Sequence, residues 1–145
     1  MRTLIVGYGN PLRGDDAFGW RVTERLRELV TDGEVEILTL HQLVPELMDA
    51  LSHADRAIFI DAAAGGSPGE IVERVLAPAD TASSFTHQAT PEALLTGAQI
   101  LYGHAPEAVM ISVAGAEFAL GAELSEPVSA QVEQVVSRVL NGLRF

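Results

Sequence analysis

At 145 residues the chain has the length of one compact domain, expected to span residues 1–145, with enough apolar side chains to bury a core unaided. It contains no cysteine, which excludes disulfides, thiolate metal sites and cysteine nucleophiles. A formal charge of −11 argues against nucleic acid and anionic membrane as partners, and the nine basic residues are all arginine, which removes lysine chemistry such as a phosphate-binding lysine or a Ser-Lys dyad.

Strand and helix signals alternate along the chain with short loops between them, which predicts a mostly parallel sheet covered by helices. An apolar run at 3–7 reads as the first strand. A helix follows at 18–30, with Phe18, Val22, Leu26 and Leu29 on its inner face. The second strand is 35–40, and a helix at 45–52 starts on Pro45, a residue favoured in the first helical turn. The third strand, 57–61, is a buried-type run that ends on a carboxylate. At 70–76, Ile71 and Val75 alternate with Glu70 and Arg74, as in a half-exposed strand that could form an antiparallel edge. A polar loop at 77–89, a helix at 91–102 and a strand at 108–114 come next. Ser125 reads as the cap of a last helix, 126–143, with Val128, Val132, Val135, Val139 and Leu143 turned inward. No apolar run reaches the roughly 20 residues of a membrane span. Met1-Arg2-Thr3 leads straight into the first strand with no signal-peptide pattern, so a cytoplasmic protein is expected.

The first strand runs into Gly7-Tyr8-Gly9-Asn10-Pro11-Leu12-Arg13-Gly14-Asp15-Asp16, a glycine-rich loop that opens the first helix. In open α/β sheets, ligands bind beyond the carboxyl ends of the strands. Asp16 follows the first strand, Asp61 closes the third, and His87 lies in the loop before the third helix. Parallel strands end on one edge, so Asp16 and Asp61 can approach each other with the loop bringing His87 over them. Two carboxylates and an imidazole suit a borderline divalent ion such as nickel, zinc or iron, with positions left open. Local structure offers a second reading of each. One of Asp15 and Asp16 can be the N-cap of the first helix, Asp61 can start a turn ahead of Ala62-Ala63-Ala64, and a lone loop histidine can simply be solvated.

Three motifs are set aside. Gly65-Gly66-Ser67-Pro68-Gly69 matches G-x-S-x-G, but Pro68 has no N–H for an oxyanion hole and a strand, not a helix, follows. Gly7 and Gly9 lack the third glycine of a dinucleotide fingerprint, because position 12 is leucine. His41, His53 and His104 lack ligand partners nearby in sequence; His41 follows the second strand and can reach the crevice rim, with a surface residue the simpler reading.

The residues from Leu4 to Asp16 resemble the first signature of the [NiFe]-hydrogenase maturation proteases, a strand followed by G-x-G-N-x-L-x-x-D-[DE]. The resemblance continues through Asp61-Ala62, His87, Leu94-Leu95 and Leu124-Ser125-Glu126-Pro127-Val128, nearly the whole chain. It implies a three-layer α/β/α sandwich with a five-stranded, mostly parallel sheet, and a cytoplasmic monomeric endopeptidase that trims the C-terminus of the hydrogenase large-subunit precursor. It also implies that Asp16, Asp61 and His87 form the catalytic and metal-contacting site, and that the nickel they meet belongs to the substrate rather than to the resting protease. Familiar members carry glutamate where this chain has Asp16, one methylene shorter, and often glycine where it has Ala17. The segment Val113-Ala114-Gly115-Ala116-Glu117 departs from the frequent G-x-[QE]-P form. Three other functions stay open: a related endopeptidase with another protein substrate, a nickel-sensing module that docks without cutting, and an anion-binding domain using the loop from Gly9 to Gly14, against which the acidic loop and missing lysine weigh.

Overall fold

A computed structural model describes residues 1–78 and 89–143. The elements are β1 (Thr3–Tyr8), α1 (Phe18–Leu29), β2 (Val35–Leu40), α2 (Leu47–Ser52), β3 (Arg56–Ala63), β4 (Ile71–Leu76), α3 (Pro91–Tyr102), β5 (Glu107–Ala114), α4 (Glu126–Ser129) and α5 (Val132–Gly142). A 3₁₀ turn at Gly14–Ala17 leads into α1. The sheet order is β2-β1-β3-β5-β4. The first four strands in that order pair in parallel, and β4 closes the edge antiparallel to β5, as the half-exposed pattern of that segment predicts.

The central strands are buried on both faces, which is why they read as continuous apolar runs rather than alternating ones. Successive side chains still point to opposite faces. Ile5, Ile58, Ile60, Ile111 and Val113 meet α1, α4 and α5 in one core. Leu4, Val6, Phe59, Ala108 and Met110 meet α2 and α3 in the other. Sheet and helices therefore form the expected three layers. Helix α1 sits directly on the ends of β1 and β3: a Cβ added to Gly19 would come within 2.7 Å of the Ile60 carbonyl oxygen. That approach brings the loop between β1 and α1 down onto the carboxyl edge of the sheet.

Four local expectations are corrected. Leu29 is exposed, because the chain leaves α1 there and Val30 packs against the core in its place. Val75 is 83% exposed, whereas Leu76 is buried on the α2/α3 side. Beside Val75 a groove separates the edge of the sheet from Arg138 and Val139 of α5, and among the described residues no side chain covers it. Helix α2 starts at Leu47, after two turns closed by Leu47 and Met48 N–H bonds to the Val44 and Pro45 carbonyls. The last helix is two pieces, broken at Ala130–Gln131, where the Gln131 N–H tightens onto the Val128 carbonyl at 2.9 Å. The break lets Val128 and the Val135–Val136–Val139 face lie in the same core. Among the described residues no helix is long and apolar enough to cross a membrane.

Candidate functional site

The pairing of β1 with β3 ends at Gly7 opposite Ile60, while β3 continues beside β5 to Ala63. Asp61 therefore stands inside the strand, one residue past the point where β1 departs, rather than closing the strand or starting a turn. Its side chain borders the gap that β1 leaves. The chain turns away at Gly9, whose φ of 144° is a left-handed-side conformation that suits glycine, and a Cβ there would strike the Asp16 carbonyl. The Asn10 N–H donates to Asp16 Oδ2 at 2.6 Å, and the Trp20 indole N–H donates to the Gly9 carbonyl at 2.8 Å. These bonds fold the loop so that Asp16 and Asp61 line one cavity of about 490 Å³, together with Tyr8, His41 and Gln42.

The electrostatics of the cavity act on Asp61 and Tyr8. Burial pushes the Asp61 pKa up to about 6, and the nearby Asp16 charge adds to this, against the pull of the Ala62 N–H at 2.7 Å and of the Tyr8 hydroxyl. Burial likewise raises the Tyr8 pKa, with the Asp61 charge next in importance. The folded protein thus holds a proton on Asp61 more tightly than the unfolded chain does. Below the ordinary aspartate pKa this costs no stability, and the cost grows as pH rises through about 6. Asp61→Asn is expected to melt above the parent protein at pH 8 and to lose that advantage at pH 4, which thermal melts at the two pH values check.

Asp15 has a different task from Asp16. It is fully buried, and its Oδ1 accepts from the Ser125 N–H at 2.7 Å. Its Oδ2 accepts from the N–H groups of Ala116 and Glu117 at 2.7 and 2.9 Å and from the Ser125 hydroxyl at 2.8 Å. Burial alone would raise its pKa, but these bonds outweigh burial and hold it below the usual aspartate value. Its own N–H donates to the Glu117 carbonyl at 2.7 Å. Asp15 is a clamp between the glycine-rich loop and the 115–125 segment. Neither aspartate is an N-cap: Ala17 occupies that position of α1, with no side-chain bond. Nor does the Ser125 side chain cap α4; its hydroxyl is committed to Asp15.

His87 lies outside the described residues. Among the described residues no three His, Asp or Glu side chains are arranged to hold one metal ion. His41, read from sequence as a surface residue, is exposed and also lines the cavity, with its ring edge-on to Trp20. Tyr8 and Gln42 are site residues that sequence reasoning did not place there, and His41 sits at the crevice rim that its place after β2 had left open. The signal for them is register, since Tyr8 lies opposite Leu40 and the residues after β2 emerge beside Gly9. Gly65–Gly69 turns into β4 with no helix behind it, as its rejection as a nucleophile elbow requires.

A family model described as hydrogenase maturation protease matches residues 20–142. The chain is 28% identical over 152 residues to the hydrogenase 2 maturation protease of Escherichia coli K12, covering 99% of this chain and 92% of that protein. It superposes on the crystal structure of a [NiFe] hydrogenase maturation protease, HycI, from Thermococcus kodakarensis with a TM-score of 0.81 and 28% identity. The hydrogenase maturating endopeptidase HybD from E. coli gives a TM-score of 0.80 and 26% identity. In both superpositions 99% of this chain and 93% of the other are covered.

Proposed function

The chain belongs to the hydrogenase maturation protease family, whose members are endopeptidases of hydrogenase maturation, and from this premise we propose that it removes the C-terminal extension of a nickel-loaded [NiFe]-hydrogenase large-subunit precursor. The reaction belongs in the cytoplasm, with the protease acting as a monomer. Asp16, Asp61 and His87 are the residues assigned to contact the nickel and take part in cleavage. The nickel arrives with the substrate and is the feature by which a loaded large subunit is told from an empty one.

The observation that carries this reading is the pair of carboxylates on one cavity. One oxygen of each is occupied by a backbone N–H, from Asn10 on Asp16 and from Ala62 on Asp61, and Asp61 also accepts from the Tyr8 hydroxyl. Among the described residues neither carboxylate is in an ion pair. Two such oxygen donors at the mouth of a crevice suit a divalent cation, and an imidazole added to them suits nickel. Two protein carboxylates leave most of the coordination sphere to other donors, as a metal already held by another protein requires.

Calorimetry tests the substrate-supplied metal. The free protein is expected to take up nickel alone only weakly, because two carboxylates and one imidazole leave most of the coordination sphere unfilled. Nickel-loaded precursor is expected to bind more tightly than nickel-free precursor. Tight, stoichiometric uptake of nickel by the free protein, or equal affinity for the two precursors, would contradict the reading.

A further inference from the structure

We propose that His41 is a catalytic residue of the peptide cleavage, carrying a proton from the attacking water to the departing amine; this rests on the endopeptidase reading above.

The β1–β2 register places the residue. Tyr8 pairs with Leu40, and the Gly9 N–H donates to the Leu40 carbonyl at 3.0 Å. The first residue after β2 therefore emerges at the carboxyl edge of the sheet, beside the loop that carries Asp16. His41 lines the same cavity of about 490 Å³ as Asp16 and Asp61. Its ring meets Trp20 edge-on, with centroids 5.1 Å apart and planes at 78°. The indole is itself fixed by its N–H bond to the Gly9 carbonyl. An exposed imidazole is thus given a preferred position at the mouth of the cavity. The other described histidines are elsewhere: His104 bonds the Ala54 carbonyl at 2.8 Å, near the opposite edge of the sheet, and His53 bonds the Asp49 carbonyl at the end of α2. No three described His, Asp or Glu side chains share a metal-binding geometry. The role assigned to the His41 ring is proton transfer.

Peptide hydrolysis needs a base for the water proton and an acid for the leaving nitrogen, and one imidazole serves as both in turn. The water oxygen adds to the scissile carbonyl carbon as neutral His41 takes one of its protons. The tetrahedral carbon then expels the nitrogen, the electron pair of the C–N bond staying on nitrogen, and the imidazolium returns the same proton to that nitrogen. One water is consumed, an acid and an amine are released, and His41 ends as it began.

The test is steady-state cleavage of nickel-loaded precursor by wild type, His41→Gly and His41→Gln, followed by intact mass. The exposed position predicts that both variants melt with the wild type. Their kcat is expected to fall about 10²–10⁴-fold, with KM changed by less than about twofold, the pattern of a group that acts only in the transition state. Added imidazole is expected to restore part of the rate in His41→Gly and none in His41→Gln, with wild type at the same imidazole concentration as the reference. An unchanged kcat, a loss confined to KM, or a glycine variant that imidazole does not rescue would overturn the assignment. A wild-type protein that leaves the precursor intact sinks the endopeptidase reading and the proposal with it. A wild type that cleaves beside an equally fast His41→Gly overturns the role of His41 alone.

Discussion

Asp15→Asn is expected to lower the melting temperature by about 12 °C at pH 7. The Asp15 carboxylate receives four hydrogen bonds and gives none. An asparagine in its place presents one oxygen and one NH₂ group to the same four donors. Turned one way, the NH₂ group faces the Ser125 N–H; turned the other, it faces the Ala116 and Glu117 N–H groups and the Ser125 hydroxyl. Leaving buried donors unpaired costs about 1–3 kcal/mol each, so about 3 kcal/mol is expected overall. For a domain of this size each kcal/mol moves the midpoint by about 4 °C. An N-cap aspartate would instead tolerate asparagine at almost no cost. The pH dependence is a second check. A carboxyl held below its unfolded pKa stabilises the fold above the ordinary aspartate range, and that stabilisation is lost as pH falls through the folded value. The gap between wild type and Asp15→Asn should therefore close in acid. Coincident melts at pH 7 would show that the clamp contributes nothing.

Asp16→Asn is expected to do the reverse, leaving the melt within about 2 °C of wild type while slowing processing of nickel-loaded precursor by more than about 100-fold. The amide oxygen still accepts the Asn10 N–H, so the loop keeps the bond that shapes it. The negative charge that a divalent ion favours is gone. A 100-fold loss is the upper end of what removing a residue that merely orients a metal ligand costs, and loss of a direct contact should exceed it. Processing rates per folded molecule, compared across the two neighbouring substitutions, separate the clamp from the contact. Wild-type cleavage by Asp16→Asn would remove Asp16 from the site.

How much of this was legible in the sequence differs residue by residue. The sheet was readable because its central strands carry apolar runs and its edge strand alternates. The approach of Asp16 to Asp61 was readable because parallel strands end on a common edge. The division of labour between Asp15 and Asp16 was not. Two adjacent aspartates look alike locally, and the partners that distinguish them lie more than 100 residues away in the chain. Ser125 shows the same override in reverse. Its local pattern is that of an N-cap, yet its hydroxyl is drawn into the Asp15 clamp. His41 has no partner near it in sequence; its place after the second strand left the crevice rim open to it, and the pairing of β1 with β2 carries it to the cavity. The periodicity of valines from Val128 to Val139 continues through the break at Ala130–Gln131, so hydrophobic pattern alone reads one helix where the backbone makes two. The family itself was carried by the residues from Leu4 to Asp16 and by the order of the later motifs.

The most direct measurement is the intact mass of large-subunit precursor, nickel-loaded and nickel-free, before and after incubation with the wild-type protein. Loss of a C-terminal peptide from the loaded form alone is the expected result. Equal trimming of both forms would contradict recognition through nickel, and a stable complex with no change in mass would contradict cleavage itself.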